Sequence, residues 1–226
     1  MGQRERAEPT FNKVDALKTA SQRLIVGISG ASGIAYGVRL LELLHDTEIE
    51  THLVLSKAAR TTLPSELDRK ISEIQAIATF VHPANDIGAS ISSGSFRTIG
   101  MIVAPCSMRT LAEIANGMSS TLLTRAADVV LKERRRLVLL VCETPLHLGH
   151  LRNMTAITEM GAIVYPPVPA LYAKPKTIKA MIDHTLGRVL DLFDIDVGTA
   201  HRWGGVRKTV TPLDCPELLA HIVQPI

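Results

Sequence analysis

Five short apolar stretches in this chain are each followed at once by residues that can hold an anion or move a proton. After residues 24–26 comes Gly27-Ile28-Ser29-Gly30-Ala31-Ser32-Gly33. Glycines let backbone N–H groups approach an anion, and a following helix turns its positive end toward it. Two serine hydroxyls at a helix start suit a single phosphate. The same residues also describe a tight, Ser-capped strand-to-helix turn. Three named motifs are excluded: Ile28 occupies the first glycine of a dinucleotide fingerprint, no Gly-Lys-Ser/Thr follows, and no G-x-S-x-G is present. After residues 51–55 comes Ser56-Lys57, where an NAD domain would place an acid. Its absence turns the reading toward a mononucleotide.

After residues 101–104 stands Pro105-Cys106-Ser107-Met108-Arg109-Thr110. Cys106 has no His or acid at a diagnostic spacing and reads as a small buried thiol. After residues 137–141 stands Cys142-Glu143-Thr144-Pro145, with Glu143 either a general acid–base or a helix-terminal charge. His147 and His150 are three apart; with no third ligand they read as loop histidines rather than a metal pair. After residues 162–165 a proline-rich loop, Pro166-Pro167-Val168-Pro169, holds Tyr172 for substrate contact or packing.

The elements that must position these residues follow from periodicity. The five apolar runs read as buried parallel strands. Helices are expected over 36–44, 57–63 (stopped near Pro64), 72–78, 111–115, 121–134, 151–160 (capped by Gly161) and 177–193. Strands alternating with helices imply right-handed βαβ units in a three-layer α/β fold with a parallel sheet, flavodoxin-like or Rossmann-like. Such sheets bind ligands at the carboxyl ends of strands, at a topological switch point. Residues 1–21 are polar and read as a flexible arm, 22–208 as one domain, and 209–226 as a surface tail.

Composition narrows the class. The chain has 226 residues, net charge +3 and only 4% aromatics. Few rings argue against base stacking, and so small a charge argues against a phosphate-backbone reader, so no nucleic-acid partner is expected. Scarcity also marks Tyr172 and Trp203 as rings of interest, the latter as a clamp for the tail. Arg134-Arg135-Arg136 reads as a solvated helix end. Three distant cysteines form no disulfide framework and fit a reducing cytoplasm. The first residues lack the apolar core of a secretory signal. No apolar run approaches the roughly 20 residues that cross a bilayer, so no membrane partner is expected.

Taken together, the motifs resemble the UbiX-type flavin prenyltransferases. The resemblance rests on Gly30-Ala31-Ser32-Gly33, Ser56-Lys57-Ala58-Ala59, Ser92-Ser93-Gly94-Ser95-Phe96, Pro105-Cys106-Ser107 with Thr110, Arg125-Ala126-Ala127-Asp128-Val129 running on to Lys132-Glu133-Arg134, and Arg202-Trp203. It runs from about Leu24 to Gly204. It implies an FMN-binding subunit that joins a dimethylallyl group, from dimethylallyl phosphate, to N5 and C6 of reduced FMN. The prenylated FMN would serve a UbiD-type decarboxylase. No metal is implied, and homododecamers with sites at subunit interfaces are.

By matching positions, the resemblance implies that Gly30, Ala31, Ser32, Ser56, Ser107, Met108, Arg109 and Thr110 surround FMN, with Arg125 in support. Lys132, Tyr172 and Arg188 would hold the dimethylallyl phosphate. Glu143 would handle protons, with Ser32 in the same relay and Glu66 at a further acidic position. Two departures stand out. Cys142 takes the cofactor-side position where the family has Arg, removing a cation and five donors. Ile87 follows Asn85-Asp86 where the family often has Trp, removing a cation–π partner for an allylic cation. These departures motivate a rival reading, a flavoprotein that binds or delivers FMN without prenylating it. A second rival, an FMN-dependent decarboxylase of peptidyl cysteine, would leave Lys132 and Arg188 without a purpose.

Overall fold

Strand β1 (Arg23–Ile28) alternates Leu24, Val26 and Ile28 to one face of the sheet and Ile25 to the other, all buried. This period-2 burial on both faces is what a central parallel strand requires. The computed structural model describes residues 22–205; the expected arm, residues 206–208 of the expected domain, and the tail with Cys215 lie outside the described residues. The remaining strands are β2 (Glu50–Leu55), β3 (Phe80–His82), β4 (Gly100–Cys106), β5 (Arg136–Val141) and β6 (Ile163–Val164). All pair in parallel, in the order β3-β2-β1-β4-β5-β6. That is the Rossmann order, and its direction reverses between β1 and β4.

The helices are α1 (Ile34–His45), α2 (Lys57–Glu66), α3 (Ile71–Gln75), α4 (Met108–Ala115), α5 (Leu122–Lys132), α6 (Leu148–Glu159) and α7 (Ile178–Asp191). Apolar residues of α1, α2, α3 and α7 pack on one face of the sheet, and those of α4, α5 and α6 on the other. Each fully buried Leu or Ile contributes about 1.5–3 kcal/mol. The expected three layers are therefore present. Gly37 sets the height of α1 over the sheet, since a Cβ there would lie 2.1 Å from the Ala104 carbonyl oxygen.

Several boundaries differ from expectation. Helix α2 continues through Pro64 to Glu66. One missing N–H is outweighed by fully buried Leu63 and by the anchoring of Glu66 described below. Strand β4 continues through Pro105, with a register shift between Val103 and Cys106. Helix α5 stops at Lys132, and Arg134 follows in the left-handed region at φ 56°. Strand β3 was not expected; it is three residues long, half-exposed and lacks a strong pattern. Nor was the Arg134–Arg136 run simply solvated. Arg135 is largely buried and donates to the Gly94 and Phe96 carbonyls at 2.7 Å each.

Candidate functional site

The switch point is stitched by Ser29. Its buried hydroxyl donates to the Pro105 carbonyl at 2.9 Å and accepts from the Ser107 N–H at 2.8 Å. This holds the loops after β1 and β4 together and consumes that hydroxyl. Ser56 caps α2 by accepting from the Ala59 N–H at 3.0 Å. Ser107 caps α4, accepting from the Thr110 N–H at 3.2 Å and donating to Thr110 Oγ1 at 3.0 Å. Gly30 lies against the first turn of α2, where a Cβ would fall 2.4 Å from that of Ala58. Gly30, Ala31, Ser32, Ser56, Ser107, Met108 and Arg109 thus share one mouth at the carboxyl ends of β1, β2 and β4.

The anion at the α1 N-terminus belongs to the chain itself. Both carboxylate oxygens of Glu66 accept from the Gly33 N–H at 3.0 Å, and Oε2 accepts from the Ile34 N–H at 2.8 Å. Those two amides are therefore already served by Glu66. A carboxylate at the end of α2 is the wrong sign for that helix and the right sign for α1.

Beside this mouth is a cleft of about 580 Å³, lined by Ser32, Gly33, Tyr36, Val141, Cys142, Glu143, Thr144 and the Pro166–Pro169 loop. Among the described residues, no Lys or Arg side chain lines it. Burial, and then the Glu66 carboxylate, push the Cys142 thiol up to about 11, so it is neutral at pH 7. Burial raises the Tyr36 phenol, with Cys142 and Tyr165 adding to the effect. Glu143 is exposed and, among the described residues, accepts only from the Thr144 N–H, at 3.2 Å. A second cleft, about 550 Å³, lies at the opposite end of the sheet among Arg134, Arg135, Arg136 and Asp194. None of the expected site residues lines it.

Tyr172 and Arg188 do not line the first cleft; both act electrostatically on Tyr165, which immediately precedes its proline loop. Burial raises the Tyr165 phenol, Arg188 lowers it, and Tyr172 adds a smaller upward effect. Tyr172 stands edge-on to His184 and Trp203, with ring centroids 5.7 and 5.5 Å apart. Arg202 makes two bonds to Asp191, at 2.5 and 2.8 Å, clamping the chain beyond α7 against it. Arg188 reaches the same carboxylate with one bond of 3.2 Å. Trp203 meets Tyr172 beside this ion pair, while the tail it was expected to hold lies outside the described residues. Tyr36, Tyr165 and His184 were missed, although the chain has only three tyrosines. That scarcity was the available signal for the two tyrosines.

Other expected residues have partners of their own or lie elsewhere. Arg125 pairs with Asp128 at 2.6 Å in the first turn of α5. Arg109 is 83% exposed and pairs with Glu113 at 2.9 Å. Thr110 is buried, with its hydroxyl engaged. Lys132 is not brought to the cleft. Helix α5 begins where the Leu122 N–H meets the Ala84 carbonyl, just past the carboxyl end of β3. Its 11 residues carry Lys132 about 16 Å away, to the opposite end of the sheet, where it pairs with Glu133 at 2.5 Å. Cys106 is fully buried and its thiol is raised by burial. His147 caps α6 and its ring lies against His150; no cluster of three metal-ligating side chains occurs among the described residues. No described helix is long and apolar enough to cross a membrane.

The geometry agrees with similarity to characterised proteins. The sequence model of the Flavoprotein family matches residues 15–199. A flavin prenyltransferase UbiX from Escherichia coli strain K12 is 59% identical over 187 residues, covering 81% of this chain and 99% of that protein. The crystal structure of AnUbiX (PadA1) in complex with FMN and dimethylallyl pyrophosphate matches with a TM-score of 0.81 at 50% identity, covering 83% of this chain and all of that one. A dodecameric FMN-dependent Ubix-like decarboxylase from Escherichia coli O157:H7 matches with a TM-score of 0.79 at 49% identity, covering 81% of this chain and all of that one. With its Rossmann-ordered sheet, its serine-lined switch point and these likenesses, the chain belongs to the Flavoprotein family and, within it, to the UbiX flavin prenyltransferases.

Proposed function

We propose that this chain is a flavin prenyltransferase that joins a dimethylallyl group, from dimethylallyl phosphate, to N5 and C6 of reduced FMN, and that its prenylated product serves a UbiD-like decarboxylase. The observation that carries the reading is the switch-point mouth opening beside a proline-walled cleft with Glu143 in its lining. The residues fit FMN. No acid follows β2, Ser32 Oγ has no partner among the described residues, and the Ser56 hydroxyl keeps its own proton for a ribityl or phosphate oxygen. The cleft wall of prolines suits a flat ring system.

Reduced FMN, when bound, supplies the nucleophilic nitrogen and ring carbon. Gly30, Ala31, Ser32, Ser56, Ser107, Met108 and Arg109 would hold it, with Arg125 and Thr110 supporting them. Arg188 and Tyr172 would stabilise the charge that grows on phosphate as the allylic C–O bond breaks. Arg188 is available for this because Arg202, not Arg188, makes the two short bonds to Asp191. Glu143, solvent-facing and bonded only to its neighbour's N–H, is placed to carry a proton. Lys132 reaches such a site only from a second copy of the chain. That supports an assembly, taken here as a homododecamer with sites at subunit boundaries. The expected location is the cytoplasm.

The test is to load the protein with FMN, reduce it anaerobically, add dimethylallyl phosphate and then the pyrophosphate, and look for prenylated flavin by mass spectrometry. Flavin bound but unprenylated with both donors refutes the reading. The rival, FMN binding without prenyl transfer, draws on the absence of any cation from the cleft around Cys142. It predicts that prenylated flavin forms only after Cys142→Arg.

A further inference from the structure

We infer that His184 is a positioning residue that fixes the direction of the Tyr172 hydroxyl and couples it to the chain beyond α7; the inference rests on the function proposed above. His184 lies in α7 and is 6% exposed. Its two ring nitrogens have different partners. The His201 backbone N–H donates to Nδ1 at 3.0 Å. A nitrogen that accepts carries no proton, so the neutral ring is protonated at Nε2. Nε2 lies 3.4 Å from the Tyr172 hydroxyl. It must be the donor there, and the phenol oxygen the acceptor.

The tautomer has a consequence for binding. Once the Tyr172 oxygen accepts from Nε2–H, its own O–H proton is turned away from His184 and is available to a phosphate oxygen. The ring of Tyr172 is fixed from two further sides, edge-on against Trp203 and tilted against His201. One buried imidazole therefore connects the folding-over of residues 201–203 to the orientation of the phenol. A second proton on the ring would place two N–H groups face to face at His201 and break the connection. Burial opposes that proton, as do Arg188 on the same helix and His201 beyond it. The third group facing the ring is Tyr172 itself.

Two variants separate the two nitrogens. His184→Asn retains an acceptor near Nδ1 and removes the donor to Tyr172; His184→Gln reaches Tyr172 with an N–H. In calorimetry with FMN-loaded protein, His184→Asn is expected to weaken dimethylallyl phosphate about fivefold to tenfold, the size of one hydrogen bond. Because the same hydroxyl serves the charge that grows on the phosphate, kcat/KM falls by at least that factor. His184→Gln recovers to within about twofold. In a Tyr172→Phe background, His184→Asn adds less than about twofold, because His184 acts through that hydroxyl. A full effect of His184→Asn in the Tyr172→Phe background overturns the proposal, as does a His184→Gln variant no better than Asn. Hydrogen–deuterium exchange needs neither cofactor nor turnover. His184→Phe should speed exchange at His201 while His184→Asn leaves it protected. Equal protection in the two variants also overturns the proposal. Failure of prenyl transfer in the unmodified protein refutes the functional reading alone and leaves the exchange comparison decisive for His184.

Discussion

Replacing Glu66 by Ala removes the side-chain acceptor, the only one among the described residues, from the amides of Gly33 and Ile34, the N-cap and first residue of α1. Three contacts are lost, at 3.0, 3.0 and 2.8 Å. Loss of a helix N-cap costs about 0.5–2 kcal/mol. Loss of a negative charge at a helix N-terminus adds about 0.3–1 kcal/mol at exposed positions. Glu66 is exposed, so water replaces part of each term and the lower half of both ranges applies. Relief at the end of α2, where a carboxylate opposes the dipole, returns a few tenths of a kcal/mol. The net expectation is about 1 kcal/mol, or a fall in Tm of about 2–4 °C for a domain of this size. Glu66→Gln keeps one oxygen acceptor and loses the charge, so it should lie between the two. The assay is thermal unfolding at pH 7.5, at low and high salt. High salt should narrow the gap between Glu66 and Gln and leave most of the gap to Ala. A Tm of Glu66→Ala within about 1 °C of the unmodified protein would refute the reasoning, because the amides of Gly33 and Ile34 would then be served as well by water.

Cys142→Arg should place a cation and five donors in a cleft that holds a neutral thiol, lowering KM for dimethylallyl phosphate on the order of tenfold, as steady-state kinetics would measure. An unchanged KM means that the guanidinium does not reach the phosphate. Gly37→Ala should cost at least about 1–3 kcal/mol by denaturant unfolding, because the Ala104 carbonyl oxygen that the new Cβ meets is backbone and cannot swing aside. Stability should also fall in acid. Burial is the first cause lowering His52, His82 and His184 below their ordinary 6.5. The unfolded chain therefore takes up protons before the folded one, so the contribution is complete above pH 6.5 and is lost as pH falls from there toward the folded-state values. Tm should be flat from pH 7.5 to 6.5 and decline toward pH 5.5; a Tm that rises on acidification contradicts it.

The central strands were legible because burial on both faces demands apolar runs, as in β1, β4 and β5. Strand β3 was not, because at the edge of the sheet Phe80, Val81 and His82 are partly exposed and nothing forces a pattern on three residues. Prolines misled in a helix and in a strand alike. Pro64 and Pro105 read as stops, yet Leu63 is buried beside one, and the Pro105 carbonyl is held by Ser29 beside the other. Such support comes from residues far along the chain and leaves no local mark.

For the site, the sequence determined the chemistry available. Serines, glycines, Glu143 and Tyr172 follow strands, and in a parallel sheet strand ends converge on one edge. Tertiary structure decided which of those groups are spent and which remain. Ser29 is consumed in joining two loops, and the α1 amides are occupied by Glu66 from 33 residues away. Lys132 is carried to the far end of the sheet by the length of one helix. His184 meets Tyr172 only because the chain beyond α7 folds back to give it a second partner. Residue type and spacing state what a side chain can donate or accept; only the packed chain states what it already does.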